Sequence, residues 1–222
     1  MSFWGQAIEV ARVDLRVEGR LGDSVRIVLP FAVMGLFVFP FALGTNQAVL
    51  SQIGLPVFWA LSMLFGMQVA LRQSANDTPA RRDLYAQLGL DPAARFAGRC
   101  LSGSLLTTGF LLVLFLAMAL IYGPDLPAGV LGYLGMALFA VGVTALSTIA
   151  GDLTTSIRNR AALAPLIVAP LSAPLIISAS QVWTSLSQGT TILGWMLVLA
   201  ASVLGLLVVG VATARSLEES AR

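Results

Sequence analysis

Six apolar stretches, none holding an Asp, Glu, Lys, Arg or His, constrain this chain more than any other feature. They run from about Ile27 to Leu43, Val49 to Leu71, Leu101 to Tyr122, Ala128 to Gly151, Ala161 to Ser180 and Thr190 to Ala214. Each has 17 to 25 residues. That is enough for a helix to cross a hydrocarbon core of roughly 30 Å. The bilayer core has no water to satisfy a free backbone, so apolar segments of this length cross it as helices. The expected fold is an all-α membrane protein with six transmembrane helices in a single domain, residues 1–222, with one sizeable loop at 72–100.

The 13 basic residues, all Arg, set the orientation. They are Arg12, Arg16, Arg20 and Arg26, then Arg72, Arg81, Arg82, Arg95 and Arg99, then Arg158 and Arg160, then Arg215 and Arg222. These positions are the N-terminus, the second loop, the fourth loop and the C-terminus. The other three loops hold no Arg and one acid, Asp125. By the positive-inside rule both termini are cytoplasmic and the chain is a multi-pass protein that crosses the membrane six times. The net charge of +2 is small. Its one-sided placement speaks for topology and contact with membrane lipids, not for nucleic acid. A cleaved signal peptide is not expected, because residues 1–26 carry four Arg and four acids and lack an apolar core.

Two absences limit the chemistry. Without Lys the chain has no Walker A loop, so it cannot hydrolyse ATP through a P-loop of its own. Without His, histidine catalysis, histidine-ligated zinc and histidine-ligated haem are excluded, and no metal site is expected. A single Cys, Cys100, rules out an internal disulfide. The spans carry no ionisable group for a proton relay. Uphill movement of a solute would therefore draw its energy from a partner. An intramembrane enzyme needs a nucleophile–base pair or a carboxylate-bound metal, which the charge-free spans argue against.

Residues 3–23 form an amphipathic helix expected to lie in the cytoplasmic interface. Trp4, Ala7, Ile8, Ala11 and Leu15 share its apolar face, while Arg12, Arg16 and Arg20 recur on the opposite one. Asp14 and Glu18 fall near the apolar arc. They either pair with neighbouring Arg residues or anchor the helix to the cytoplasmic mouth of the bundle. In the second loop, Asp77-Thr78-Pro79 signals a helix start. A short helix over Ala80–Leu88 follows, with Leu84 and Leu88 on one side and Arg81, Arg82 and Asp83 at its start. It is either a dock for a motor protein or a solvated connector. Gly89 ends it, and Asp91-Pro92 begins the helix that leads into the third span.

In the fifth span, Pro165, Pro170 and Pro174 each remove a backbone hydrogen bond, so a bent or broken helix is expected. It serves packing or a moving element. Gly129, Gly132, Gly135 and Gly142 read as close helix packing by the fourth span. Trp183, Trp195, Tyr122 and Tyr133 read as an aromatic belt at the outer ends of spans. Gln181–Gly189 reads as a small external helix.

Three stretches resemble the haem exporter protein B (CcmB) family, within the ABC-2-type permeases. Asp14-Leu15-Arg16-Val17-Glu18-Gly19-Arg20 is similar to the family's N-terminal run, and the apolar span after it ends in Phe39-Pro40-Phe41-Ala42-Leu43-Gly44. Leu153-Thr154 with Arg158 is similar to its fourth-loop element. Ala169-Pro170-Leu171-Ser172-Ala173-Pro174-Leu175-Ile176 is similar to its span-five segment. The second loop differs, with Asn76-Asp77-Thr78-Pro79-Ala80-Arg81-Arg82-Asp83 where the family often has an acidic run. The resemblance implies a permease of the plasma (inner) membrane without a catalytic site, driven by a cytoplasmic ABC ATPase that binds the ATP. Docking is expected at Asp77, Arg81, Arg82, Asp83, Leu84 and Leu88. It also implies a second copy of the permease, a haem-handling membrane protein as partner, and haem as a handled ligand in c-type cytochrome biogenesis. The alternatives are an ABC-2 permease for a lipid, drug or polymer, and a membrane assembly scaffold that transports nothing.

Overall fold

The computed structural model describes the backbone of residues 2–44, 46–75, 79–124, 129–153 and 160–219. The side chains of 21, 23, 24, 74, 75, 79, 82, 83, 153, 160–169 and 216–219 lie outside what it describes. Among the described residues every regular element is a helix. In chain order these are α1 (Phe3–Leu21), α2 (Asp23–Leu43), α3 (Gln47–Ala75), α4 (Pro79–Gln87), α5 (Pro92–Tyr122), α6 (Val130–Leu153), α7 (Arg160–Gln188) and α8 (Leu193–Glu219).

Local chemistry explains where several of them begin and end. The Ser2 hydroxyl accepts from the Gly5 N–H at 3.3 Å and caps α1. Gly22 closes α1 and opens α2 at once. Its φ of 63° is left-handed, and a Cβ there would meet the Arg26 side chain at 2.7 Å, so glycine is needed at this corner. Gly89, at φ 67°, follows α4. Asp91 caps α5 by accepting from the Ala93 N–H at 2.9 Å, with Pro92 in the first helical position.

The expected loop at 72–100 is therefore shorter than its sequence reading. α3 runs to Ala75 and α5 starts at Pro92, so Arg95, Arg99 and Cys100 belong to a 31-residue helix. That helix is about 46 Å long, well beyond a hydrocarbon core.

α6 is the central helix. It packs against α3, α5, α7 and α8. Its glycines provide the close approach. Added Cβ atoms would meet Trp183 at 2.8 Å from Gly132, Leu186 at 3.0 Å from Gly129, Val182 at 3.3 Å from Gly135 and Leu175 at 2.7 Å from Gly142. The glycine stripe is the seat of α7, as the packing reading expects. Phe58, Trp59, Phe115, Phe139 and Trp183 form a chain of ring contacts through the core that reaches the surface at Tyr133, with centroids 5.0–5.8 Å apart.

Several expectations need correction. Tyr122 and Trp183 are fully buried rather than part of a belt. The Tyr122 hydroxyl donates to the Leu36 carbonyl at 2.6 Å, and Trp183 fills the space that Gly132 leaves open. Trp195 and Tyr133 remain at the surface. Gln181–Gln188 is not a separate external helix but the last two turns of α7, and Gly189 is the turn that follows. α7 is not broken, since one helix spans Arg160–Gln188. Pro170 and Pro174 sit on its exposed side, opposite the buried Leu175, Ala179, Val182 and Trp183. The Pro174 carbonyl accepts from the Ser178 hydroxyl at 2.6 Å. The side chain of Pro165 lies outside the described residues.

On α1 the side packed against the bundle is the one that carries Ala7, Val10 and Ala11. Ala7, Val10, Ala11 and Glu18 are buried, whereas Trp4 and Ile8 are 64% and 52% exposed. Small residues win the buried position because α1 lies almost directly on α5. A Cβ at Gly98 would meet the Ala7 carbonyl oxygen at 2.5 Å and Val10 Cβ at 2.7 Å. Among the described residues, five helical segments are long and apolar enough to cross a membrane: Val25–Leu43, Gln47–Gln73, Pro92–Tyr122, Val130–Asp152 and Leu193–Arg215.

A backbone oxygen cannot move aside as a side chain can. Gly98→Ala is therefore expected to lift α1 off α5 and lower the melting temperature of the detergent-purified protein. Gly109→Ala, with nothing within 4 Å, is expected to leave it unchanged. Thermal denaturation of the two variants, with limited proteolysis around Gly22, checks this.

Candidate functional site

The polar residues of α1, α3, α4, α5 and α6 meet at one end of the bundle. Asp14 on α1 is the centre. Its Oδ1 accepts from Arg81 Nη2 on α4 at 2.5 Å, and its Oδ2 accepts from the Ser102 hydroxyl on α5 at 3.3 Å. Ser102 Oγ in turn accepts from Gln73 Nε2 at the end of α3, at 3.0 Å. Next to them, Arg99 Nη1 of α5 donates to Asp152 Oδ1 at the end of α6, at 3.0 Å. Asp14, Gln73, Arg99 and Thr148 line a space of about 10 Å³, the size of one water.

The register of each helix places these groups. Ala7, Val10, Ala11 and Asp14 recur at three- and four-residue steps, so the contact that buries the alanines also turns Asp14 toward Ser102. Gln6 Oε1 accepts from the Asp91 N–H at 3.0 Å and ties the start of α1 to the start of α5. Asp152 sits at the C-terminal end of α6, where the helix dipole disfavours a carboxylate and the Arg99 guanidinium offsets it.

Arg99 and Asp152 are 7% and 8% exposed, so both charges are desolvated. Breaking such a pair by removing one member costs about 3–5 kcal/mol.

Arg81 is more open. Its Nε donates to the Tyr85 hydroxyl at 3.1 Å, and its guanidinium carbon lies 5.5 Å from the Tyr85 ring centre. Burial lowers the Arg81 pKa. The Asp14 charge, then Tyr85, and hydrogen bonds to both outweigh burial and hold the guanidinium above its ordinary value. A raised pKa on a cation means stability that is complete below the unfolded value and lost only as pH rises through the folded one. For arginine that window is strongly alkaline, so Arg81 stays charged at any working pH.

The residues singled out in the sequence divide into three groups. Asp14 and Arg81 come together, and Glu18 is buried beside them on α1. Asp14 pairs with α4 and α5, not with an Arg on its own helix, so the anchoring alternative for Asp14 is the observed one. Arg12, Arg16 and Arg20 stay exposed, with Arg12 bound to Glu9 at 3.0 Å. Leu84 on α4 and Leu88 just after it are 52% and 65% exposed. Asp77, Thr154, Arg158 and the side chains of Arg82, Asp83 and Leu153 lie outside the described residues.

Sequence reasoning missed Gln73, Arg99, Ser102, Thr148 and Asp152. A signal was present for one pair: Arg99 and Asp152 flank adjacent spans on the same side with opposite charge. The described residues hold no group of three or more Cys, Asp or Glu placed to ligate a metal. The site's chemistry is mechanical. It joins α1, α3, α4, α5 and α6 to one another through charges, a hydroxyl and an amide.

Apolar helices long enough to span, with buried polar groups gathered at one end, define a multi-pass, all-helical membrane protein of the permease class. The family model described as CcmB protein matches residues 6–220, and the chain belongs to that family, the haem exporter protein B family of cytochrome c biogenesis. A comparison with curated proteins finds no match. Family membership makes the chain a membrane component of a transport system rather than an enzyme.

The Asp14–Arg81 pair can be tested by reversal. Arg81→Asp and Asp14→Arg alone each put like charges together and are expected to free α4. The double reversal is expected to restore it. Each hydrogen bond to a charged group is worth about 1.5–3 kcal/mol. The readout is the yield of a cysteine cross-link between α1 and α4. Equal yields in single and double variants would remove the pair from the account.

Proposed function

We propose that this chain is the permease half of an ATP-driven ABC exporter acting in haem delivery for c-type cytochrome assembly. It crosses the plasma (inner) membrane six times, α7 being the fifth crossing and the one added to the five apolar segments, with α1, α4 and both termini in the cytoplasm. A cytoplasmic ABC ATPase binds and hydrolyses the ATP, and the permease works with a second copy of itself and a haem-handling membrane protein. Haem is the ligand that this assembly handles.

The observation that carries this reading is the attachment of α4. It is a short helix outside the spans with exposed Leu84 and Leu88, yet its Arg81 reaches Asp14. Through Asp14 and Ser102 it is joined to α1, α5 and α3. Force applied to α4 therefore reaches α5 through two hydrogen bonds and α3 through a third. Beside it, Gln6, Glu9, Val10, Val13, Tyr85, Leu88, Gly89 and Leu90 line a groove of about 490 Å³ between α1 and α4. An apolar, half-open surface at the end of a mechanical link suits a motor protein better than it suits a connector.

Two experiments test the proposal. Leu84→Asp and Leu88→Asp place charges on the docking face without touching Asp14 or Arg81. They are expected to cut ATPase co-purification about tenfold or more while membrane abundance of the permease stays level. Undiminished co-purification would move the dock away from α4. The orientation is read with reporter fusions inserted at 123–127, expected outside the cytoplasm because the positive-inside rule puts every Arg on the other side. A cytoplasmic signal there would overturn the six-crossing topology.

A further inference from the structure

α2 and α3 touch closely at Gly35, where an added Cβ would lie 3.1 Å from Leu61 Cδ2. One turn further toward the arginine-bearing end they leave a groove of about 270 Å³. Ile27, Val28 and Phe31 form one wall, and Leu64, Phe65, Gln68 and Arg72 the other. The second wall is one face of α3, since these positions step by three and four residues. The groove is open along its length: Phe31 is 66% exposed, Leu64 57% and Ile27 42%.

Its chemistry is graded. From Phe31 and Leu64 it offers only carbon. At its end it offers the Gln68 amide and then the Arg72 guanidinium, in the last turn of α3. Arg12, Arg81, Arg99 and Arg215 each face a carboxylate. Arg16, Arg20, Arg26, Arg72 and Arg95 make no ion pair among the described residues, and of these Arg72 is the one that lines this apolar cleft, at the end of a membrane-spanning segment. α2 and α3 themselves carry one acid, Asp23 at the first position of α2.

We infer that this groove is a binding site for an anionic phospholipid of the leaflet that meets the arginine-bearing end. The acyl chain lies along Phe31, Leu64 and Phe65. The headgroup phosphate accepts from the Arg72 guanidinium, which suits phosphate because it can donate two parallel hydrogen bonds. Gln68 donates to the ester or phosphate oxygens beside it. Basic pockets between transmembrane helices at this depth bind anionic headgroups by the same combination. The bilayer supplies such a ligand at high local concentration along the open side. A second copy of the chain fits less well, because its own α2 and α3 would bring another Arg72 and little acid. Haem also fits less well, because none of the lining side chains ligates iron.

The full chain, purified in detergent and delipidated, is titrated with dioleoyl phosphatidylglycerol or dioleoyl phosphatidylcholine and read by native mass spectrometry. The wild type is expected to retain the anionic lipid at least about fivefold better, the factor that one Arg near a headgroup contributes. Arg72→Gln is expected to remove that preference and leave phosphatidylcholine retention unchanged. Gln68→Leu, which keeps the helix and the charge, is expected to weaken both lipids modestly. Arg215→Gln removes an equal charge outside the groove and is expected to change nothing. A photoactivatable phosphatidylglycerol is expected to label Phe31, Leu64 or Phe65. Equal retention of both lipids by the wild type, an unchanged preference in Arg72→Gln, or labelling confined to other helices would overturn the site. So would efficient disulfide-linked dimers of Phe31→Cys in membranes, because the groove would then be covered by a second copy.

Discussion

A carboxylate held between helix ends must be surrounded by donors, and Asp14 imposes that requirement on this structure. Its two oxygens take Arg81 from α4 and Ser102 from α5, and Ser102 takes Gln73 from α3. The desolvated Arg99–Asp152 pair beside it adds α6. Satisfying these few polar atoms sets where five helices end relative to one another. Apolar contacts alone would leave those ends free to slide. The close seat of α1 on Gly98 serves the same constraint, because only at that distance does Asp14 reach Ser102.

The opposite half of the bundle is held by different physics. There α6 presents glycines to α7, and Trp183, Leu175 and Leu186 occupy the space those glycines leave. Tyr122 ties the end of α5 to the middle of α2 through one hydroxyl. Such packing gains dispersion contacts and resists rearrangement, because any shift of α7 drives side chains into backbone. A tightly packed half joined to a polar end is a suitable design for a permease that must move in one place and stay intact in another. The chain has no lysine for a nucleotide-binding loop of its own.

The short helix α4 connects these ideas to the family. The CcmB match covers nearly the whole chain, so the fold and the membrane role follow from it. The second loop is where this sequence departs from the family's acidic run. Here an Arg on the loop helix meets an acid on α1. Asp14 itself belongs to the N-terminal motif that carries the resemblance. The motif thus has a structural meaning in this chain: it supplies the acid on which the loop helix rests.

The sequence alone determined what local composition can determine. Charge-free apolar runs had to be helices, and Asp91-Pro92 and Gly89 had to bound α5 and α4. The facing of those helices was decided only by tertiary structure. In water a buried face is recognisably more apolar than an exposed one. In a bilayer both are apolar, so hydrophobicity no longer separates inside from outside, and size and shape decide instead. Trp4 and Ile8 outrank Ala7 and Ala11 in hydrophobicity, yet the alanines are buried, on the side of α1 whose backbone at Ala7 rests on Gly98. Trp183 and Tyr122 look the same in sequence whether they float at a membrane surface or fill a glycine groove. Arg99 and Asp152 are 53 residues apart, and their pairing rests on the rotation of two neighbouring helices. Hydropathy contains no term for that rotation, because it depends on which side chains interlock.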